Sequence, residues 1–312
     1  PLFLAQATIH ARRAHRKDMP AVLLAALSGR EPLLFRRAFW RVVDNGRMLR
    51  TFVQVMRSGR TGRRSLGSAP KAMVRDWLDR ASDRAILEAA VGNDPSLADV
   101  IRMVHPRPAS AERRALYAWV IGKPCDVGLL PAALRDWLRF RETGEGLVPD
   151  VPFQMLTQLP LAREHWAAIA EGASWQMLRQ NLNTFLRHGV FEDPEAVERA
   201  AARLSDPERI ARARVLPYQL MVAGESVDAA MPQAIREALD AALELSVANL
   251  PAVAGSVAVC PDVSGSMSGS VTGFRKGATS RVRHIDVAAL VAAAVLRANP
   301  HAIVLPFEHG VR

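Results

Sequence analysis

Cysteine is almost missing from this sequence: Cys125 and Cys260 are the only two in 312 residues. They stand too far apart to form a metal or disulfide pattern, so a reducing compartment is the simplest expectation, with the cytosol as default. Long hydrophobic runs are missing as well. None approaches the roughly 18 residues needed to cross a bilayer, and the apolar stretch Val287 to Leu296 is Ala-rich and reads as a buried helix. Pro1 to Ile9 has neither the charged lead-in nor the cleavage site of a secretory signal. Aromatic residues make up 6% of the chain, which leaves few platforms for stacking nucleobases. The six tryptophans (Trp40, Trp77, Trp119, Trp137, Trp166 and Trp175) fall at helical core spacing and are expected to pack internally. Period-2 alternation is absent from the first 250 residues, which excludes an all-β body there.

Acidic residues are scarce at one end. Residues 1–80 hold 17 Lys or Arg against 5 Asp or Glu, whereas the rest of the chain holds 24 against 26. The whole net charge of +10 therefore arises in the first quarter, and nearly all of it is arginine. The planar guanidinium fork suits phosphate better than a Lys point charge does. A polyanion partner, most commonly nucleic acid, is one reading, and a solvated surface is the other.

What is present is helical periodicity. Apolar residues recur at three- and four-residue spacing in Met19–Leu27, Leu34–Val43, Met48–Met56, Ala72–Leu78, Leu97–Val104, Ala115–Ile121 and Leu129–Leu138. The pattern continues in Trp166–Ala170, Trp175–Leu186, Ala196–Leu204 and Ile235–Leu250. Asp193-Pro194-Glu195 and Asp206-Pro207-Glu208 each put a capping side chain before proline at the first helical position, and Ser96 and Ser110 are weaker starts. About a dozen helices joined by short loops predict a mainly α chain, either a degenerate HEAT-like α-solenoid or a large irregular helical domain. Near residue 250 the character changes. Gly255 to Cys260 is a short β-branched run, Ile285 to Ala298 a buried helix, and Ala302 to Leu305 a second strand. Strand, helix, strand is one βαβ crossover of a parallel α/β sheet. One crossover is too little for a sheet domain, so the remainder is expected to lie outside this sequence.

Asp262, Ser264 and Ser266 form an Asp-x-Ser-x-Ser pattern where the first strand ends. That is the ligand-binding edge of an open parallel sheet. One carboxylate and two hydroxyls are hard oxygen donors suited to a divalent metal such as Mg²⁺, whose other positions would stay open to water or to a partner. Val259 to Ser266 resembles the metal-ion-dependent adhesion site of von Willebrand factor A domains. That site also uses a Thr and an Asp from later loops, which have no counterpart before Arg312; Thr272 and Thr279 fall too early.

The remainder resembles the TROVE module of the Ro autoantigen family and its bacterial orthologs. The likeness is carried by His15 to Pro20, by Gly62 to Gly67 leading into Lys71 and Asp76-Trp77, and by Val104-His105-Pro106-Arg107-Pro108. Leu156 to Gln158, Leu178 to Leu182 and Val215 to Gln219 continue it. The resemblance implies two parts: a helical-repeat RNA-binding domain over 1–250, closed into a monomeric ring, and the N-terminal portion of an A domain over 251–312. It implies an outer surface that binds Y RNA and a central hole that accepts 3′ ends of misfolded RNA. It also implies an adaptor role toward an exoribonuclease such as polynucleotide phosphorylase. His105 falls on the family's RNA-contacting histidine, with Arg107 beside it to neutralise a phosphate. The stretch Glu88 to Asp94, where the family is basic, here has two acids and no Lys or Arg.

Residue chemistry adds further candidates for RNA contact. Arg57, Arg60, Arg63 and Arg64 form a basic loop interleaved with Gly and Ser, and Lys71 and Arg75 follow on one helical face. Lys17 joins them from the first matching stretch. The sequence predicts a non-enzymatic RNA-binding scaffold, with a protein-interaction adaptor working through the metal loop as the alternative. A Ser264-centred hydrolase using His284 and Asp286 is the least supported reading, because Asp286 is explained as a first-turn helix acid.

Overall fold

The computed structural model describes residues 1–62, 64–247, 253–273 and 280–308. The chain divides into two compact units, Pro1–Pro160 and Leu161–Arg312. Among the described residues, no helix is long and apolar enough to cross a membrane.

The first unit is built of helices α1 (Leu2–Arg13), α2 (Met19–Ser28), α3 (Pro32–Val42), α4 (Gly46–Arg57), α5 (Ser68–Arg80), α6 (Asp83–Ala90), α7 (Leu97–Val104), α8 (Ala111–Val120), α9 (Ala132–Thr143) and α10 (Phe153–Leu156). Most packing is between helices one or two steps apart in the chain. Helix α1 lies on α2 and α3, α2 on α4, α4 on α6 and α7, and α7 on α5 and α8. This local stacking is what the solenoid pattern in the sequence predicts. Phe35, Phe39 and Phe52 are fully buried and meet with ring centroids 5.7–5.9 Å apart. Leu24, Leu27, Leu49 and Met56 of α2 and α4 are fully buried as well; each such side chain contributes roughly 1.5–3 kcal/mol of burial. Helix α1 carries no visible apolar stripe because its buried residues are the small Ala5, Thr8 and Ala11.

The second unit holds α11 (Arg163–Gly172), α12 (Trp175–Gln180), α13 (Leu182–Arg187), α14 (Pro194–Leu204), α15 (Pro207–Ala213), α16 (Pro217–Ser226) and α17 (Gln233–Ser246). Asp193 and Asp206 cap α14 and α15 as the Asp-Pro-Glu signals require, accepting from Glu195 N–H at 3.0 Å and Glu208 N–H at 2.9 Å. The periodic run Trp175–Leu186 is not one helix. Asn181 turns aside (φ −118°, ψ 16°) and its amide donates to the Met177 carbonyl at 2.8 Å, so its side chain competes with the helical ladder. Leu129–Leu138 is likewise interrupted: Pro131 lacks an N–H, and α9 starts only at Ala132.

The crossover follows. Strands β1 (Ala258–Val259) and β2 (Ile303–Val304) pair in parallel, with Ala258 opposite Ile303 and Val259 opposite Val304, and α18 (His284–Ala298) joins them. A parallel bridge of Asp262 with Phe307 extends the pairing to the metal loop.

Candidate functional site

Helix α7 positions the central turn. Its N-terminus is fixed by a reciprocal capping box: the Asp99 N–H donates to Ser96 Oγ at 3.1 Å, and the Ser96 N–H donates to Asp99 Oδ2 at 3.1 Å. The Ser96 hydroxyl and N–H hold the Asp99 carboxyl below the usual carboxylate range. At the other end His105 is left-handed (φ 52°, ψ 63°), a conformation that L residues other than Asn, Asp and His seldom adopt. Its N–H still donates to the Ile101 carbonyl at 2.9 Å. Arg75 Nε, from α5, donates to the Val104 carbonyl and places a cation on the α7 C-terminus. Pro106 and Pro108 restrict the chain beyond, and His105 and Arg107 are left exposed on either side of Pro106.

A cleft of about 710 Å³ opens on the α5 side of this turn, lined by Lys71, Arg75, Met103, His105 and Arg107. The sequence candidates on α5 and in the His-Pro-Arg turn therefore share one concavity. Asp76 and Asp79 line it too, which tempers its positive field. Lys17, Arg57, Arg60 and Arg64 do not line this cleft; all four are exposed. Arg63 lies outside the described residues. Gly59 and Gly62 take φ of +79° and +80° in the basic loop, so its path depends on glycine at both positions. Arg57 at the end of α4 is close enough to Asp99 to lower that carboxyl, so part of its charge is answered within the fold. Among the described residues, none of Lys17, Arg57, Arg60, Arg64, Lys71, Arg75 and Arg107 forms an ion pair.

The α8 side of the same turn holds a second cleft of about 630 Å³. Arg102, Arg114 and Lys123 reach it, and sequence reading alone singled out none of the three. The available signal was local: each lies within a few residues of the Pro-Arg-Pro turn or of the Gly122-Lys123-Pro124 loop that ends α8.

In the second unit, the Ser264 N–H donates to Asp262 Oδ1 at 2.8 Å, and this bond with the Ser264 hydroxyl holds the Asp262 carboxyl below its ordinary range. Ser264 Oγ and Ser266 Oγ stand 3.0 Å apart. The loop thus gathers one ionised carboxylate and two adjacent hydroxyls, a donor set that fits a hard divalent cation. Thr272 Oγ1 is committed elsewhere, accepting from the Ser280 N–H at 2.9 Å. Among the described residues, no group of three His, Cys, Asp or Glu could hold a metal.

Residues 164–246 match the TROVE domain family. The solved structure of the Deinococcus radiodurans RO (RSR) protein superposes with a TM-score of 0.68 at 21% sequence identity, covering 99% of this chain and 68% of that one. A comparison with curated proteins finds no significant match. This chain has the fold of that Ro protein, and its segment 164–246 is similar to the TROVE domain family. That segment runs from α11 to the end of α17 and lies within the second unit, whereas the cleft at His105 lies in the first.

One expectation, that all six tryptophans are core, needs correction within this Ro fold. Trp77, Trp137, Trp166 and Trp175 are buried, but Trp40 and Trp119 are only half-buried. Trp40 carries the Arg80 guanidinium 4.7 Å above its ring, and Trp119 meets Trp137 edge-on at 6.3 Å. Asp286 accepts from the Arg283 N–H at 2.8 Å and from the Arg283 guanidinium at 2.8 Å. Its oxygens serve the start of α18, as the reading of a first-turn acid requires.

Proposed function

We propose that this chain is an RNA-binding scaffold of the Ro/TROVE type, not an enzyme, that binds Y-like small RNA and misfolded, 3′-tailed RNA for quality control or decay. The observation that carries the reading is the convergence of Lys71, Arg75, His105 and Arg107 on one cleft, with none of the three cations answered by a described carboxylate. Lys71 and Arg107, which form no ion pair among the described residues, would gain free energy by releasing counterions from a phosphate backbone, while Arg75 holds the turn through the Val104 carbonyl. The TROVE match over 164–246 and the Ro fold support the RNA class, and the first-quarter arginine excess supports the polyanion. Sequencing the RNA that copurifies with the protein identifies the ligand. Binding is expected to weaken steeply with salt, and replacing Arg60, Arg63 and Arg64 together with Glu should weaken it further. Salt-independent binding, or none, refutes the proposal.

The oxygens at the end of β1 favour a second reading, a protein adaptor. Asp262, Ser264 and Ser266 would hold Mg²⁺, and the bound ion would supply an open coordination position for a partner's carboxylate. The A-domain assignment of 251–312 and an exoribonuclease partner belong to this reading. Pull-down with and without EDTA separates the two: protein capture that needs metal and retains no RNA favours the adaptor.

A further inference from the structure

The cleft on the α8 side of the His105 turn differs in chemistry from its neighbour. Its floor is apolar, formed by Ile101, Pro106, Pro108, Tyr117, Ala118 and Ile121. Tyr117 contributes its ring only, because its hydroxyl donates to the Leu78 carbonyl at 2.8 Å. Every charged side chain around the floor is basic: Arg102, Arg107, Arg114 and Lys123, beside His105. No carboxylate lines it, in contrast to the α5-side cleft with Asp76 and Asp79.

The rim is partly prefixed. Arg114 Nη1 donates to the Pro108 and Ala109 carbonyls at 3.2 and 2.6 Å, which ties the proline turn to α8. Arg102 Nη2 donates to the Ile121 carbonyl at 2.7 Å, and its other nitrogen stands 3.8 Å from Asp99, so its charge is partly answered. Arg107 and Lys123 are exposed and form no ion pair among the described residues. A volume of about 630 Å³ falls within the roughly 300–1,000 Å³ of sites that take a small molecule.

An apolar floor under an all-basic rim calls for a ligand with a flat apolar body and an anionic tail. We infer that this cleft takes one unstacked nucleobase of a single-stranded RNA, with the adjoining phosphate on Arg107 and Lys123. The inference rests on the RNA-binding reading and deepens it. Duplex RNA presents phosphates and sugars but keeps its base faces stacked, so it would leave the floor uncovered. A neutral apolar peptide would cover the floor and leave the rim cations unanswered. The turn at His105 then divides two tasks: backbone charge on the α5 side, base insertion on the α8 side.

The test uses the full chain and a short single-stranded RNA carrying one 2-aminopurine, whose fluorescence changes when the base leaves its stack. Binding should change that fluorescence, and an abasic site at the same position should weaken binding about tenfold. Ala118→Phe, which fills the cleft from a half-buried position on α8, should weaken single-strand binding about tenfold and leave duplex RNA binding unchanged. Lys123→Glu should weaken single-strand binding as well. Equal affinity of folded Ala118→Phe and wild type, or equal losses for duplex and single strand, overturns the base cleft while RNA binding stands. A wild-type chain that binds no RNA overturns both. If Ala118→Phe does not fold, the abasic probe with wild-type protein decides alone.

Discussion

Arg75 and Arg107 line the same cleft, yet alanine at the two positions should have opposite consequences. Arg75 Nε donates to the Val104 carbonyl, the last acceptor of α7, in a part-buried setting. Losing a charged hydrogen bond to a helix end should cost about 1–2 kcal/mol. For a unit of this size that lowers Tm by roughly 2–4 °C per kcal/mol. Arg107 is exposed and its side chain forms no hydrogen bond or ion pair among the described residues. Its removal should move stability by no more than about 0.5 kcal/mol. Its effect should appear in the salt titration, where each neutralised phosphate of a single strand contributes about 0.7 to the slope of log K against log salt. Filter binding across a salt series, with thermal melts of both variants, reads the two effects separately. If Arg107→Ala leaves the slope unchanged while Arg75→Ala alone reduces it, the division into one recognition residue and one positioning residue is wrong.

Three further outcomes are expected. Ser96→Ala removes the acceptor of the Asp99 N–H and the donor to its carboxylate, and should destabilise the first unit by about 1 kcal/mol. Because Asp99 is held below its ordinary value of 3.8 in the folded chain, the box stabilises above that pH. The carboxylate's share of that contribution is lost as pH falls through the lower folded value, while the bond from the Asp99 N–H to Ser96 Oγ does not titrate, so the gap between wild type and Ser96→Ala should narrow in acid melts. Gly46→Ala would set a Cβ 2.2 Å from Ala89 Cβ and 2.7 Å from its Cα, with α4 and α6 already in contact. Overpacking at a helix crossing costs roughly 1–3 kcal/mol, readable as a lower denaturant midpoint with an unchanged m-value. Mg²⁺ should raise the Tm of the wild-type chain and not that of Asp262→Ala; equal shifts in both would remove the metal from this loop.

Helix identity was legible wherever large apolar residues repeat, as in α4, where Met48, Leu49, Phe52, Val53 and Met56 are all buried. It was hidden where the buried face is made of small side chains, as in α1, or where a side-chain amide breaks the ladder, as at Asn181. The candidate site followed the same division. Lys71 and Arg75 sit four residues apart on one helix, so their shared face is a property of the sequence. Asp262, Ser264 and Ser266 alternate along one loop, and their grouping was readable for the same reason.

The sequence by itself determined the helical chain and the caps at Ser96, Ser110, Asp193 and Asp206, because each depends on residues within one or two turns of one another, and it marked the single parallel crossover by its order of strand, helix and strand. Only the tertiary structure decided that α5 lies against α7. That packing turns Arg75 from a free cation into the clasp of the Val104 carbonyl, and it brings Asp76 and Asp79 to the cleft that Lys71 enters. The packing of α7 on α8 gathers Arg102, Arg114 and Lys123 around an apolar floor. No spacing rule connects those positions, since their proximity is set by how α7 and α8 meet across a turn fixed by His105 and two prolines.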